Sequence, residues 1–378
     1  SIISFMFSNV RIEKLILSNY RNHKFLKLEL KKNIILICGE NGSGKTNILE
    51  SISLITSSSG LKKTNLTEII SSNLKGPIEL FGVNLIFSIN NKRMKIGLGL
   101  KKNTNGLKKI INVEGLKTKK KLDQYFSIFW ITPKMTFLFQ NSREERRNFI
   151  DQMICSIDFS FKKFLLMYEK YKSERIKILK KWNKKSGEWL FLIEKKLAAT
   201  GIIICDARRK FIKQLNFYLG DLDSSFHSLE IELSGELDLL LLKKPAIEVE
   251  DFFLKKLKEN RSKDTLSGRT NFSANKTDFI VLNKDYKREA KNHSTGEQKV
   301  IIFLIIFSFM KILKNQKDLK ILFLLDDVFS FLDKNFVLTV LDQLNKLKIQ
   351  TWLTDVSGGW IMKKEGFKSI IDKINIDE

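Results

Sequence analysis

Gly39, Glu40, Asn41, Gly42, Ser43, Gly44, Lys45 and Thr46 form an unbroken octapeptide between the apolar run Ile34–Cys38 and a helix-like stretch from Asn47 to Leu54. A glycine-rich loop between strand and helix is the setting in which backbone cradles phosphate. The glycines let the chain turn back so that successive amides point inward at phosphate oxygens. Lys45 can then reach the β- and γ-phosphates, and the Thr46 hydroxyl takes a Mg²⁺ position. The start of the helix adds partial positive charge at the same place. The pattern predicts a nucleoside triphosphate as ligand, with ATP and Mg²⁺ the expected pair.

A second constellation lies near the other end of the chain. Ile321–Leu325 is a continuous apolar run that ends in Asp326 and Asp327. It reads as a buried parallel strand with two carboxylates at its C-terminal end, where α/β sheets bind ligands. Successive side chains leave a strand on opposite faces, so the two acids can differ in role. Asp326 suits a Mg²⁺ position, and Asp327 suits a general base that polarises water; with Lys45 it is the catalytic candidate. A solvated acidic turn is the plainer alternative for the pair taken alone.

Between the two lies His293-Ser-Thr-Gly-Glu-Gln-Lys299, which runs into the apolar stretch Val300–Met310. Ser294 and Glu297 have capping-box spacing, so an ordinary capped helix is one reading. The order of phosphate loop, insertion, capped helix and acidic strand is similar to that of ABC-type ATPases. In such a protein Ser294, Thr295, Gly296, Glu297 and Gln298 would be the signature that faces the γ-phosphate bound by a second copy. Asp333 would then be the polar end of a loop crossing the dimer interface. Asp355 stands where transporter-type ATPases place a switch histidine, and no histidine follows His293.

The elements that must position these groups are legible in outline. Arg11–Leu17, Phe25–Leu30, Ile78–Phe81, Val83–Ile89 and Met94–Leu98 read as strands, with Asn90-Asn91 as a turn. Lys101–Lys121 is basic and weakly patterned, a further hairpin or a surface loop. From Arg143 the spacing becomes helical through Phe161, Phe164, Leu165 and Tyr168; a break at 183–187 precedes a second helix toward Leu219. The expected architecture is an α/β ATPase head with a mixed sheet, split by an α-rich lobe. The boundaries are residues 1–130 and 275–378 for the two ATPase halves and 131–274 for the lobe. No sustained heptad array is present, which disfavours a long coiled coil.

Lys and Arg number 67 against 42 Asp and Glu, a formal net charge of +25, which favours an anionic partner such as nucleic acid. The abundance of Lys, Ile and Asn and the presence of only 3 Pro is also what AT-rich coding produces, so charge is support and not proof. Cys38, Cys155 and Cys205 form no CxxC pair, which excludes a zinc signature and fits a reducing cytoplasm. The first residues lack a basic n-region, and Val300–Met310 is too short to span a bilayer, so no membrane role is expected.

Taken together these motifs resemble the RecF family of SMC-related DNA replication and repair ATPases. The resemblance rests on Leu17–Asn22, Gly39–Glu50, Trp130–Pro133, Arg146–Asp151, Ser294–Lys299 and Leu325–Val328, and it covers nearly the whole chain. It implies an ATP-dependent homodimer that binds duplex or gapped DNA and works with recombination mediator proteins. Hydrolysis is expected to be slow, a timed release. The chain departs from the family at Ser273–Asp278, where only Asp278 and the preceding Gly268–Thr270 fit, and the Q-loop glutamine has no clear counterpart, with Gln140 near its place. Arg143, Arg146 and Arg147 with Glu144 and Glu145 are either a DNA-facing cluster or a solvated helix face. Lys62, Lys63 and Lys101–Lys121 are denser DNA candidates. A non-hydrolysing DNA clamp and a transporter nucleotide-binding subunit are the alternatives.

Overall fold

Two kinds of apolar pattern near the start give two kinds of strand. Alternation produces β1 (Val10–Tyr20) and β2 (His23–Glu29), whose outward positions meet solvent. The unbroken run produces β3 (Ile34–Cys38), buried throughout, as a strand covered on both faces must be. The glycine loop opens into α1 (Lys45–Ser53). β4 (Gly82–Ile89), β5 (Lys92–Asn103) and β6 (Gly106–Glu114) follow as antiparallel neighbours, and β7 (Ser127–Ile131) is again largely buried. The helical stretch contains α2 (Arg143–Ile157), α3 (Phe159–Lys180) and α4 (Gly187–Gly220). Next come β8 (Leu229–Ser234), α5 (Glu236–Leu241), α6 (Ala246–Glu259), α7 (Arg261–Ser267), β9 (Asp278–Asn283) and β10 (Arg288–Glu289). The chain ends with α8 (Thr295–Lys314), β11 (Ile321–Leu325), α9 (Lys334–Lys346), β12 (Thr351–Asp355), α10 (Gly359–Met362), α11 (Phe367–Ile370) and β13 (Ile371–Asn375).

The computed structural model describes residues 10–56, 61, 69, 81–89, 92–103, 106–114, 122, 125–181, 187–220, 228–316, 320–329, 332–355 and 359–376. The expected turn at Asn90-Asn91, most of the expected strand Ile78–Phe81, Lys62, Lys63 and the 115–121 part of the basic segment lie outside these residues. Residues 104 and 105 lie outside them too, and 101–103 and 106–114 of that segment lie in the paired strands β5 and β6.

The chain divides into two compact units, Ser1–Thr136 with Lys314–Glu378, and Phe137–Leu313. Residues 275–313, which the sequence groups with the ATPase halves, fall in the second. The first unit holds an antiparallel sheet in the order β2-β1-β4-β5-β6 and a parallel sheet in the order β13-β3-β12-β11-β7. Its core joins Leu15, Leu17, Leu85 and Phe87 of the first sheet to Ile35, Ile37, Leu322 and Trp352 of the second and to Ile48 and Ile52 of α1. Where the β1–β4 register shifts between Ile12 and Lys14, buried Gln350 acts as a surrogate backbone. It accepts from the Ile12 amide (2.8 Å) and donates to the Ile12 carbonyl (2.9 Å).

The second unit is built on the α3–α4 pair and a small sheet, β10-β9-β8. Gly201 lets α4 pack tightly, since a Cβ there would lie 2.6 Å from Phe253 and 3.0 Å from Tyr168. Four arginines replace ordinary apolar packing at its polar seams. Arg175, 0% exposed, donates to Glu194 (3.1 Å), Asp264 (2.7 Å), Thr270 (3.3 Å) and the Leu257 carbonyl (2.8 Å). Arg208 grips Asp151 with both ends of its fork (2.7 and 2.8 Å) and donates to the Ala274 carbonyl (2.8 Å). Arg146 is bidentate to Asp278 (2.8 Å each), and buried Arg147 donates to the Asn275 carbonyl. The charged run at 143–147 is therefore only partly a solvated face: Arg146 and Arg147 turn inward to hold the 273–278 loop. That loop supplies the acceptors.

Removing Arg175 leaves buried Asp264 without its cation, while Glu194 keeps Arg261. Arg175→Met is expected to lower unfolding free energy by about 3–5 kcal/mol in urea denaturation. Lys210→Met, which removes an exposed pair with Asp206 on the same unit, should cost less than about 1 kcal/mol.

Candidate nucleotide site and signature helix

The phosphate loop has the conformation its glycines permit. Gly42 and Gly44 have φ of +92° and +104°, values open to glycine and strained for other residues. The Ser43 amide closes a turn on the Glu40 carbonyl (3.2 Å), and the Gly44 carbonyl accepts from Asn47 (2.9 Å) and Ile48 (3.2 Å) to start α1. Gly44 offers no side-chain cap, so the first helical amides look to an outside acceptor. Lys45 is folded over the loop and donates to the carbonyls of Gly39 (2.5 Å) and Glu40 (2.8 Å). An incoming phosphate would compete with those carbonyls for the ammonium.

β11 lies between β7 and β12, and its two terminal acids part as strand geometry requires. Asp326 is buried, its amide held by the Ile131 carbonyl (2.9 Å), while Asp327 is exposed with φ +45°. Thr46 Oγ1 donates to Asp326 Oδ1 (2.8 Å), which also accepts from Thr354 Oγ1 (2.9 Å). Thr354 Oγ1 in turn accepts from the Asp327 amide (2.8 Å). Thr354 has no assigned role in the sequence, although its strand is legible there. Adjacent ligands of an octahedral Mg²⁺ at about 2.0–2.1 Å stand about 2.9 Å apart. Thr46 and Asp326 thus present hard oxygens at a spacing that fits the ion.

The turn between β1 and β2 is the part of the site that motif spacing misses. Tyr20 and Arg21 both bond Glu50, a carboxylate on α1 that is 0% exposed; the Arg21 Nη2 bond is 2.7 Å. Asn22 donates to the Ser43 carbonyl (2.8 Å) and accepts from Asn47 (2.7 Å), and His23 Nε2 meets the Gly44 carbonyl at 3.2 Å. Burial lowers the His23 pKa, opposed by that carbonyl, so the imidazole docks in its neutral form. A Cβ on Gly44 would fall 2.4 to 2.6 Å from Asn22 and His23. Polar residues at a hairpin tip look like surface; only Leu17–Asn22 as a family motif hinted otherwise.

The signature segment belongs to the second unit. Ser294 and Glu297 make the capping box: Ser294 N and Oγ donate to Glu297 Oε2 (2.9 and 2.8 Å), and the Glu297 amide donates back (3.3 Å). Those bonds hold the Glu297 carboxyl below its ordinary range. Ser294, Thr295, Gly296 and Glu297 are exposed, whereas Gln298 is buried and points inward. Asp333 caps α9 by accepting from the amides of Asn335 (2.8 Å) and Phe336 (3.2 Å). Asp355 ends β12 beside Cys38 of β3, and Gln140 is exposed at the end of a 3-10 turn over Pro133–Gln140.

Gly42 and Gly44 can be told apart by substitution. Both share the φ penalty of about 1–2 kcal/mol, but nothing lies within 4 Å of a Cβ on Gly42. Gly44→Ala should weaken ATP binding by roughly a hundredfold or more, and Gly42→Ala by roughly tenfold, in a calorimetric titration.

Residues 11–372 match the family model described as RecF/RecN/SMC N terminal domain. The DNA replication and repair protein RecF of Rickettsia typhi is 32% identical over 92% of this chain and 94% of its own length. The protein of the same name from Rickettsia bellii strain OSU 85-389 is 33% identical over 97% of this chain and 99% of its own. Among solved structures, one titled as the recombination mediator protein RecF-ATPrS in the RecFOR pathway superposes with a TM-score of 0.78. It is 26% identical and covers 92% of this chain and 93% of that one. An SmcHead structure, 16% identical with a TM-score of 0.51 over 96% of this chain and 93% of its own, shares the fold. With the family model spanning nearly all of it and full-length relatives above 30% identity, this chain belongs to the RecF family.

Proposed function

We propose that this chain is an ATP-dependent DNA-binding protein of replication and recombinational repair, in which ATP with Mg²⁺ joins two copies. The single observation that carries the reading is the 2.8 Å approach of Thr46 Oγ1 to buried Asp326 beside an uncapped helix start. Lys45 and the amides of Gly39–Thr46 bind phosphate, while Thr46 and Asp326 hold the ion. Bound Mg²⁺ would neutralise charge on the β- and γ-phosphates. Asp327, exposed and fixed through its own amide by Thr354, accepts the proton of the attacking water. Ser294, Thr295, Gly296 and Glu297 complete the site of the second copy, with Asp333 near the same interface. Hydrolysis is slow and opens the pair.

The paired copies hold duplex or gapped DNA through phosphate contacts, for which the net charge of +25 is the support. Recombination mediator proteins are the expected partners; one similar structure is titled as a protein of the RecFOR pathway. Among the described residues no helix is long and apolar enough to cross a membrane, and the proposed place of action is the cytoplasm.

The test is fluorescence anisotropy of a labelled gapped duplex with the Asp327→Asn chain, with and without ATP, across a salt titration. ATP is expected to tighten binding roughly tenfold or more, and Ser294→Arg to remove that gain. Equal, steeply salt-dependent binding in both states would reject the nucleotide switch. Turnover by the wild type that disappears in Lys45→Ala and Asp327→Asn identifies an enzyme; no turnover identifies a clamp with ATP as a structural ligand.

A further inference from the structure

Gln298 occupies the second turn of a helix whose start is exposed, yet it is 2% exposed and faces the chain that precedes it. Its Nε2 donates to the carbonyls of His293 (2.8 Å) and Lys291 (3.1 Å). Two carbonyls demand two N–H donors, so the amide has one workable orientation. The same segment is closed by the His293 amide on the Ala290 carbonyl (3.1 Å) and by the Gln298 amide on the Ser294 carbonyl (2.9 Å). From the solvent side Glu297 holds Ser294 through the capping box. The turn before Ser294 is therefore braced from inside by one side chain and from outside by its neighbour. Next along the helix, buried Lys299 lies over the Phe137 ring at 5.4 Å from its centre.

We propose that Gln298 is a positioning residue: it braces the signature turn and presents Ser294, Thr295 and Gly296, and does not itself touch the partner's nucleotide. The inference rests on the two-copy reading above and changes the role the sequence assigns to this residue. Glutamine is required because it alone among isosteres offers two neutral donors at that reach. Glutamate would place a carboxylate against two carbonyl oxygens, a repulsion that protonation of the carboxylate relieves.

The experiment compares the full chain with Q298E and Q298M between pH 5.5 and 8.5. Amide hydrogen exchange over 290–297 and ATP-driven association in sedimentation velocity are read together. At high pH both variants should lose protection in that segment and associate roughly tenfold more weakly. As pH falls Q298E should regain part of both, since a protonated carboxyl offers one donor for the two carbonyls, and Q298M neither, while ATP binding by the isolated chain stays within about twofold of wild type. Wild-type protection and association in both variants at every pH overturns the brace. Unchanged protection in Q298M with lost association also overturns it, in favour of direct contact with the nucleotide. A wild type that fails to associate with ATP counts against the two-copy reading, and the protection comparison still decides the brace.

Discussion

The candidate nucleotide site depends on one buried carboxylate. Asp326 sits at the end of the apolar strand β11, where an unanswered charge would cost several kcal/mol. Donors come from the neighbouring strand and from the one beyond it: Thr354 lies on β12, and Thr46 follows β3. The parallel order β3-β12-β11 brings three carboxyl ends together, so residues 280 apart in the chain meet. Thr354 extends the arrangement by holding the backbone of Asp327, which orients the exposed acid without burying it.

A second constraint acts on the loop from the opposite side. Glu50 is buried on α1, and its charge is met by Arg21 and Tyr20 at the β1–β2 turn. That anchor delivers Asn22 and His23 to the carbonyls of Ser43 and Gly44. The loop is thus held by polar contacts from a hairpin as well as by its own glycines. The second unit uses the same physics, with Arg146, Arg147, Arg175 and Arg208 tying helices to one another and to the 273–278 segment through hydrogen bonds that apolar packing could not direct. Geometry of this kind specifies one arrangement, because each buried guanidinium tolerates few alternatives.

Legibility in the sequence followed the range of the interaction. The glycine loop Gly39–Thr46 and the pair Asp326-Asp327 stand out in the sequence because each is a local pattern of fixed residue types at fixed spacing. The Ser294–Glu297 box was readable for the same reason, being a contact three residues long. Gln350, Thr354, Asn22 and His23 were not, since their partners lie between 21 and 338 residues away. The arginines at 146 and 147 failed for another reason: a run of mixed charge averages to a solvated face, and only the fold decides which members turn inward. The inward direction of the Gln298 side chain is likewise illegible in the sequence, since a motif does not say which way a side chain points.

The central claim is that one chain's phosphate loop and another's signature form a single site. Energy transfer between two differently labelled chains, one Lys45→Ala and one Ser294→Arg, mixed with ATP, tests it most directly. The first keeps a working signature and the second a working loop, so each mixed pair contains one complete site. The account predicts that ATP drives association in the mixture and in neither variant alone. Association of either variant alone, or none in the mixture under conditions where wild type pairs, would contradict it.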